Sequence, residues 1–241
     1  MLISIILECS PVILRGRWMI IFLRQLLNII LMRAVNVEET LVFIDEGFLD
    51  KLSKVFGEGK RLKFDKFDFA KRIAKKQNLY CKHLFYYTCP PFQSNNPNEN
   101  EIKRKGGHDK FIAKLSENKN ITVREGRCQR IINQNGELEY KQKGVDILLS
   151  IDLSHLKDDF LEINKIILIS SDTDFCPIIV DIKNRWKIDT ILYSYFDRAR
   201  NSKFSLSNEL LKCCLKYVKI QKEDFISCQI KKTKIDEKQK I

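Results

Sequence analysis

At 241 residues and 44% hydrophobic composition, the chain can bury one large core, either as a single domain or as a domain with short appendages. Lys and Arg outnumber Asp and Glu by 43 to 31, a formal charge of +12. That excess points to a polyanionic partner such as nucleic acid, less strongly to an anionic membrane surface, with a merely solvated lysine-rich exterior as the plain alternative. The eight cysteines are scattered without a C-x-x-C pair, and only His83, His108 and His155 accompany them. This argues against a disulfide framework and a structural zinc site, and it fits a reducing cytoplasm.

Residues 1–35 read as an apolar extension, interrupted by Arg15, Arg17, Arg24 and Arg33. The longest run, Trp18–Met32, is shorter than the ~20 residues that span a bilayer. Arg24 near its middle costs roughly 2.5–3.5 kcal/mol on insertion scales, so no stable membrane insertion is expected. An appended amphipathic helix, a weak anchor, and translation upstream of a true start at Met19 or Met32 all fit. The last is favoured, because the domain pattern begins just after Met32.

From Glu39 the pattern alternates between strand and helix. Thr40–Ile44 is an apolar strand ending at Asp45, followed by Gly47 and a helix-like Phe48–Val55. Asp65 is placed to N-cap an amphipathic helix over 66–77. Cys81–Tyr87 is a second strand, opening into the polar, proline-rich loop 89–97, which is expected beside the active face. Glu101–Ser116 reads as a helix and Ile121–Arg124 as a short strand. Asn135-Gly136 makes a hairpin-type turn within an excursion ending near Gln142. Gly144 permits a tight entry into a helix whose stripe is Val145, Leu148, Leu149 and Leu156, with Asp146 in its first turn. Ile166–Ile169 is β-branched and apolar enough to be buried on both faces, and Pro177 is tolerable in the helical turn that follows. Ile188–Tyr193 is another buried strand, Ser205 or Ser207 starts a helix through Cys214, and Val218 falls in a short final strand. Residues 226–241 form a lysine-rich tail expected to fray. Such alternation implies a parallel sheet with right-handed crossovers.

Asp45, Asp172 and Asp174 each follow an apolar strand, so they gather at the carboxyl edge of the sheet, where open α/β folds bind ligands. Asp146 is placed to reach the same edge. Converging carboxylates repel unless a cation neutralises them, and hard oxygen donors without His or Cys select Mg²⁺ or Mn²⁺. Such an ion suits hydrolysis of a phosphodiester, while a basic surface holds the polyanion. The same aspartates also suit plain helix caps, and spacing by itself leaves both open.

Three blocks, FID at Phe43–Asp45, QKGVDILLSIDL at Gln142–Leu153 and ISSDTDFCPII at Ile169–Ile179, resemble the signature blocks of the NYN domain, the LabA-like branch of the PIN-like nuclease superfamily. FYYTCPPFQS at Phe85–Ser94, VREGR at Val123–Arg127 and RNSKFSLSNELL at Arg200–Leu211 are minor matches, and together they cover a domain over residues 39–225 in the right order. The resemblance implies a Rossmann-like PIN-type α/β fold, a central parallel β-sheet flanked by helices on both faces, with RNA as substrate. It carries its acidic motif onto Asp45, Asp146, Asp172 and Asp174 as catalytic and metal-holding residues. Asp152 also matches the pattern and is read, together with Ser171 and Glu46, as a supporting rather than a ligating position. Two departures stand out: Glu46-Gly47-Phe48 replaces a Gly-then-Asn pattern after the first aspartate, and Ser171 stands where glycine is usual.

Taken together these features imply a metal-dependent ribonuclease at a four-aspartate site, with Lys143 and Arg200 contacting phosphates. A catalytically weak or inactive RNA-binding module on the same fold is the alternative, and self-association is compatible with either. A phosphatase of the haloacid dehalogenase type would want a second aspartate two positions after Asp45, where this chain has Gly47.

Overall fold

A computed structural model describes residues 37–197 and 204–230. The apolar extension over residues 1–35, Arg200 and the lysine-rich residues 231–241 lie outside the described residues. The chain divides into a unit ending at Glu38 and a second unit, Glu39–Ile241, to which the following account refers.

Six strands form the main sheet: β1 (Glu38–Asp45), β2 (Leu79–Thr88), β3 (Ile121–Glu125), β6 (Lys165–Ile169), β7 (Asp189–Ser194) and β8 (Lys216–Lys219). Their order is β3-β2-β1-β6-β7-β8. The pairs β2–β3, β1–β6, β6–β7 and β7–β8 run parallel. The alternation led to the expectation of a parallel sheet, and its order is doubly wound, with the first three strands built outward from β1 and the last three outward from β6. The direction of winding therefore reverses between β1 and β6.

Central strands are buried on both faces because helices cover both. Val42, Ile44, Ile167 and Ile169 point into one core, shared with α1 (Glu46–Phe56), α2 (Lys66–Lys76) and α8 (Lys222–Ile226). Leu41, Phe43, Ile166 and Leu168 point into the other, against α4 (Val145–Ser154), α5 (Leu156–Asp159), α6 (Cys176–Trp186) and α7 (Asn208–Cys213). Each of these fully buried Leu, Ile or Phe side chains contributes about 1.5–3 kcal/mol of transfer free energy.

Local signals behave as the residues require. Asp65 caps α2 by accepting from the Asp68 amide at 2.7 Å. Asn98 and Glu101 form a reciprocal capping box at the start of α3 (Glu99–Ser116). Gly144 holds φ at 80° where the chain turns into α4, a conformation that costs a residue with a Cβ. The excursion around Asn135-Gly136 is a regular hairpin of β4 (Arg127–Ile132) and β5 (Leu138–Lys143), which pair with each other and not with the main sheet. The helix expected to carry Val145 through Leu156 breaks at His155, so Leu156 opens the separate short α5, and α8 is too short to show a period in the sequence. Among the described residues, no helix is long and apolar enough to cross a membrane, and the cysteines are free thiols.

Candidate functional site

The register of the sheet builds the site. Thr40 to Ile44 pair with Lys165 to Ile169, so the next residues, Asp45 and Ser170, meet side by side at the winding reversal. The Ser170 hydroxyl donates to Asp45 Oδ2 at 3.0 Å and accepts from the Asp172 amide at 3.2 Å. Asp45 Oδ1 accepts from the Phe48 amide at 3.3 Å, so the same carboxylate ends β1 and caps α1. Asp172 Oδ1 likewise accepts from the Asp174 amide at 3.0 Å, capping the short 3₁₀ turn Thr173–Phe175 that leads into α6. The cap and ligand readings are thus not exclusive. A carboxylate has about four lone-pair sites, and each cap takes one.

Burial raises the Asp45 carboxyl from 3.8 to about 6, opposed by the Ser170 and Phe48 hydrogen bonds and assisted by the Asp146 charge. Asp146 is also raised, first by loss of water around its carboxyl and then by the charges of Asp172 and Asp174. The four aspartates therefore share one electrostatic neighbourhood at the carboxyl ends of β1 and β6. An open groove of about 440 Å³ runs from Asp146 and Asp174 along Ile147, Ser150, Ile151 and Ser154. Among the described residues, no three Asp, Glu, His or Cys side chains converge tightly enough to form a coordination group. The carboxylates feel one another's charge without forming a closed cage.

The supporting positions sort differently from the four. Asp152 accepts from Tyr87 Oη at 2.9 Å and from Arg124 Nε and Nη2 at 3.1 and 3.0 Å, so its carboxylate ties α4 to β2 and β3. Glu46 faces Lys66, whose Nζ lies 3.3 Å away. Ser171 is half-buried, and the hydroxyl that links Asp45 to the Asp172 loop belongs to its neighbour Ser170. Lys143 ends β5 in an exposed position beside the turn into Asp146.

Three residues escaped sequence reasoning. Ser170 is fully buried and bridges two of the aspartate segments. Ser194 follows from the same register, because Ile169 pairs with Tyr193 and places Ser194 beside Ser170. Its hydroxyl is buried without a hydrogen-bond partner. Gln142 Oε1 lies 2.8 Å from where a Cβ on Gly47 would stand, and Asp45 Oδ1 lies 3.2 Å from the same point. Only the pairing of strands and the docking of the hairpin reveal these neighbours.

With this geometry in view, the chain matches the model of the NYN domain over residues 39–221. The chain belongs to the NYN domain family. NYN domains lie within the PIN-like nuclease superfamily and are generally nucleases, and nucleases of this kind typically use divalent metals. No curated protein matches the chain. A solved structure of a protein of unknown function from Vibrio parahaemolyticus is similar, with 18% identity and a TM-score of 0.46, covering 78% of this chain and 95% of that one.

Proposed function

We propose that this NYN domain is a ribonuclease that hydrolyses RNA phosphodiester bonds with a divalent cation, Mg²⁺ or Mn²⁺, held by Asp45, Asp146, Asp172 and Asp174. The observation that carries the proposal is the electrostatic strain on carboxylates gathered at the winding reversal of the sheet: burial, with the Asp146 charge as a lesser cause, raises Asp45 to about 6, and burial followed by the charges of Asp172 and Asp174 raises Asp146. Strain of that kind is relieved by a cation. The donor set fits a hard ion. Its donors are carboxylate oxygens, which suit an ion that keeps several waters and takes phosphate oxygens from substrate; among the described residues no three such side chains converge into an all-protein cage.

When bound, the ion supplies charge stabilisation at the phosphate and an activated water. The protein's part is positioning. Ser170 fixes the Asp45 carboxylate through Oδ2, and its Oγ also orders the Asp172 backbone, so two ligand segments share one hydroxyl. The Phe48 amide holds Asp45 Oδ1 from the other side. Lys143, exposed at the end of β5 three residues before Asp146, would meet a phosphate of the incoming strand. A cytoplasmic setting agrees with the free thiols among the described residues.

The test incubates the full-length protein with a mixed RNA pool in Mn²⁺, Mg²⁺ or EDTA, beside Asp172→Asn. Cleavage should need the metal and fall by more than about 10²-fold in the variant, since even residues that only support metal ligands cost 10–100-fold. Cleavage that persists in EDTA and in Asp172→Asn refutes the proposal. RNA binding without cleavage by the wild type favours the binding module on the same fold.

A further inference from the structure

The β4–β5 hairpin carries an unusual outer face. Its register opposes Cys128 to Gln142, Arg130 to Tyr140 and Ile132 to Leu138, so these six side chains share one side of the ribbon. That side is not buried: Ile132 is 71% exposed, Leu138 59% and Tyr140 48%. A two-stranded ribbon standing off the main sheet gains little from exposing apolar and aromatic groups to water. The aromatics are nevertheless organised. The Phe92 ring, on the loop after β2, lies 5.6 Å from the Tyr140 ring, and the Arg130 guanidinium sits 4.9 Å from the Phe92 centroid. Phe92 is itself anchored from behind, because its neighbour Gln93 donates through Nε2 to the Glu101 carbonyl at 2.7 Å in the first turn of α3.

This face also has a direction. Its base is Gln142, whose side chain overhangs Gly47 beside Asp45. From there the pairs Cys128–Gln142, Arg130–Tyr140 and Ile132–Leu138 step outward from the aspartates. Successive side chains on one face of a strand are about 6.7 Å apart. That is twice the about 3.4 Å step of bases stacked in a duplex, so the ladder suits a strand whose bases are splayed apart. The chain's +12 charge and the positive group among the rings favour a polyanion with π-faces over an apolar peptide.

We infer that this hairpin face, with Phe92, is a stacking platform for the unpaired bases of a single-stranded nucleic acid that runs down to the aspartate site. Resting on the ribonuclease reading, the strand is RNA. Rings and guanidinium planes accept any base in such platforms, so the face sets strandedness rather than sequence.

Binding of fluorescein-labelled 12-mers to the full-length protein is measured in EDTA, where no metal-dependent cleavage competes, with single-stranded RNA, single-stranded DNA and duplex RNA of one sequence. Wild type should bind the RNA single strand at least tenfold more tightly than the duplex. Tyr140→Leu keeps apolar bulk against Phe92 but has no ring, and it should lose about 5- to 100-fold on the single strand with the duplex unchanged. Tyr140→Phe should bind like wild type, and both variants should unfold at the wild-type temperature, which separates stacking from support of the hairpin. An RNA preference over DNA assigns the strand to RNA, and equal binding assigns the platform to single strands of either sugar. Wild-type affinity in Tyr140→Leu, or duplex binding as tight as single-strand binding, overturns the inference. A wild type that never cleaves yet loses single-strand affinity in Tyr140→Leu defeats the ribonuclease reading alone. Metal-dependent cleavage with unchanged single-strand affinity in Tyr140→Leu defeats the platform alone.

Discussion

Asp45→Asn should make the metal-free protein more stable while removing a ligand of the proposed metal site. Asparagine keeps an Oδ1 for the Phe48 amide, and Asn caps helices as well as Asp does. What it removes is a charge that the fold holds at a cost. Folding raises this carboxyl from 3.8 to about 6, so the native state binds the proton more tightly than the unfolded chain. The stability from that proton is complete below about pH 3.8, is lost as pH rises through about 6, and then stays lost. At 1.36 kcal/mol per unit, the ionised Asp45 costs about 3 kcal/mol at neutral pH. For a domain of this size each kcal/mol moves Tm by about 2–4 °C, so the variant should melt roughly 6–12 °C higher in EDTA at pH 7.5. The gap should close towards pH 4. Scanning calorimetry from pH 4 to 8 reads this directly, and adding Mn²⁺ should raise the wild type but not the variant. A variant that melts at or below the wild type at pH 7.5 in EDTA, or a difference that ignores pH, refutes the electrostatic account of the site.

Three further outcomes are expected. Ser170→Ala removes the hydroxyl shared by Asp45 and the Asp172 amide; Mn²⁺ affinity by titration calorimetry should fall about 10–100-fold, and unchanged affinity would show that the bridge is only structural. Asp152→Asn breaks the charge-assisted fork to Arg124 and weakens the Tyr87 contact; urea unfolding should show a loss of about 1–3 kcal/mol with Mn²⁺ affinity intact, whereas lost affinity with intact stability would move Asp152 into the metal site. Gly47→Ala puts a Cβ 2.8 Å from Gln142 Oε1, the movable end of a long side chain. The helix should gain up to about 1 kcal/mol from alanine while cleavage slows through displacement of Gln142 from Asp45, and a drop in Tm would mean that the hairpin base cannot yield.

Much of this molecule was legible in single residues. The apolar, mostly β-branched run Ile166–Ile169 read as a strand buried on both faces, and it is one. Asp65, Gly144, Pro177 and Ser207 announced helix starts that the fold uses. The placements of Asp45 and Asp172 after apolar strands and of Asp146 in a first helical turn were readable because local turn geometry favours aspartate there. Short segments were harder: Lys222–Ile226 and Leu156–Asp159 make one turn or little more, too little for a period to register.

The alternation of elements, their caps and the aspartates that follow apolar strands are thus local properties, written in short stretches of chain. Which residues stand beside those aspartates is a matter of tertiary packing. Ser170 and Ser171 are chemically identical neighbours in the sequence, and the family pattern singles out Ser171. The register of β1 against β6 places Ser170, not Ser171, against Asp45. Asp152 and Asp146 lie six residues apart on one helix, yet packing against Tyr87 and Arg124 commits the first to structure and leaves the second with Asp172 and Asp174. Strand pairing and helix docking join residues 28 to 125 positions apart. A one-residue slip would turn every side chain to the opposite face, and no local propensity encodes that choice.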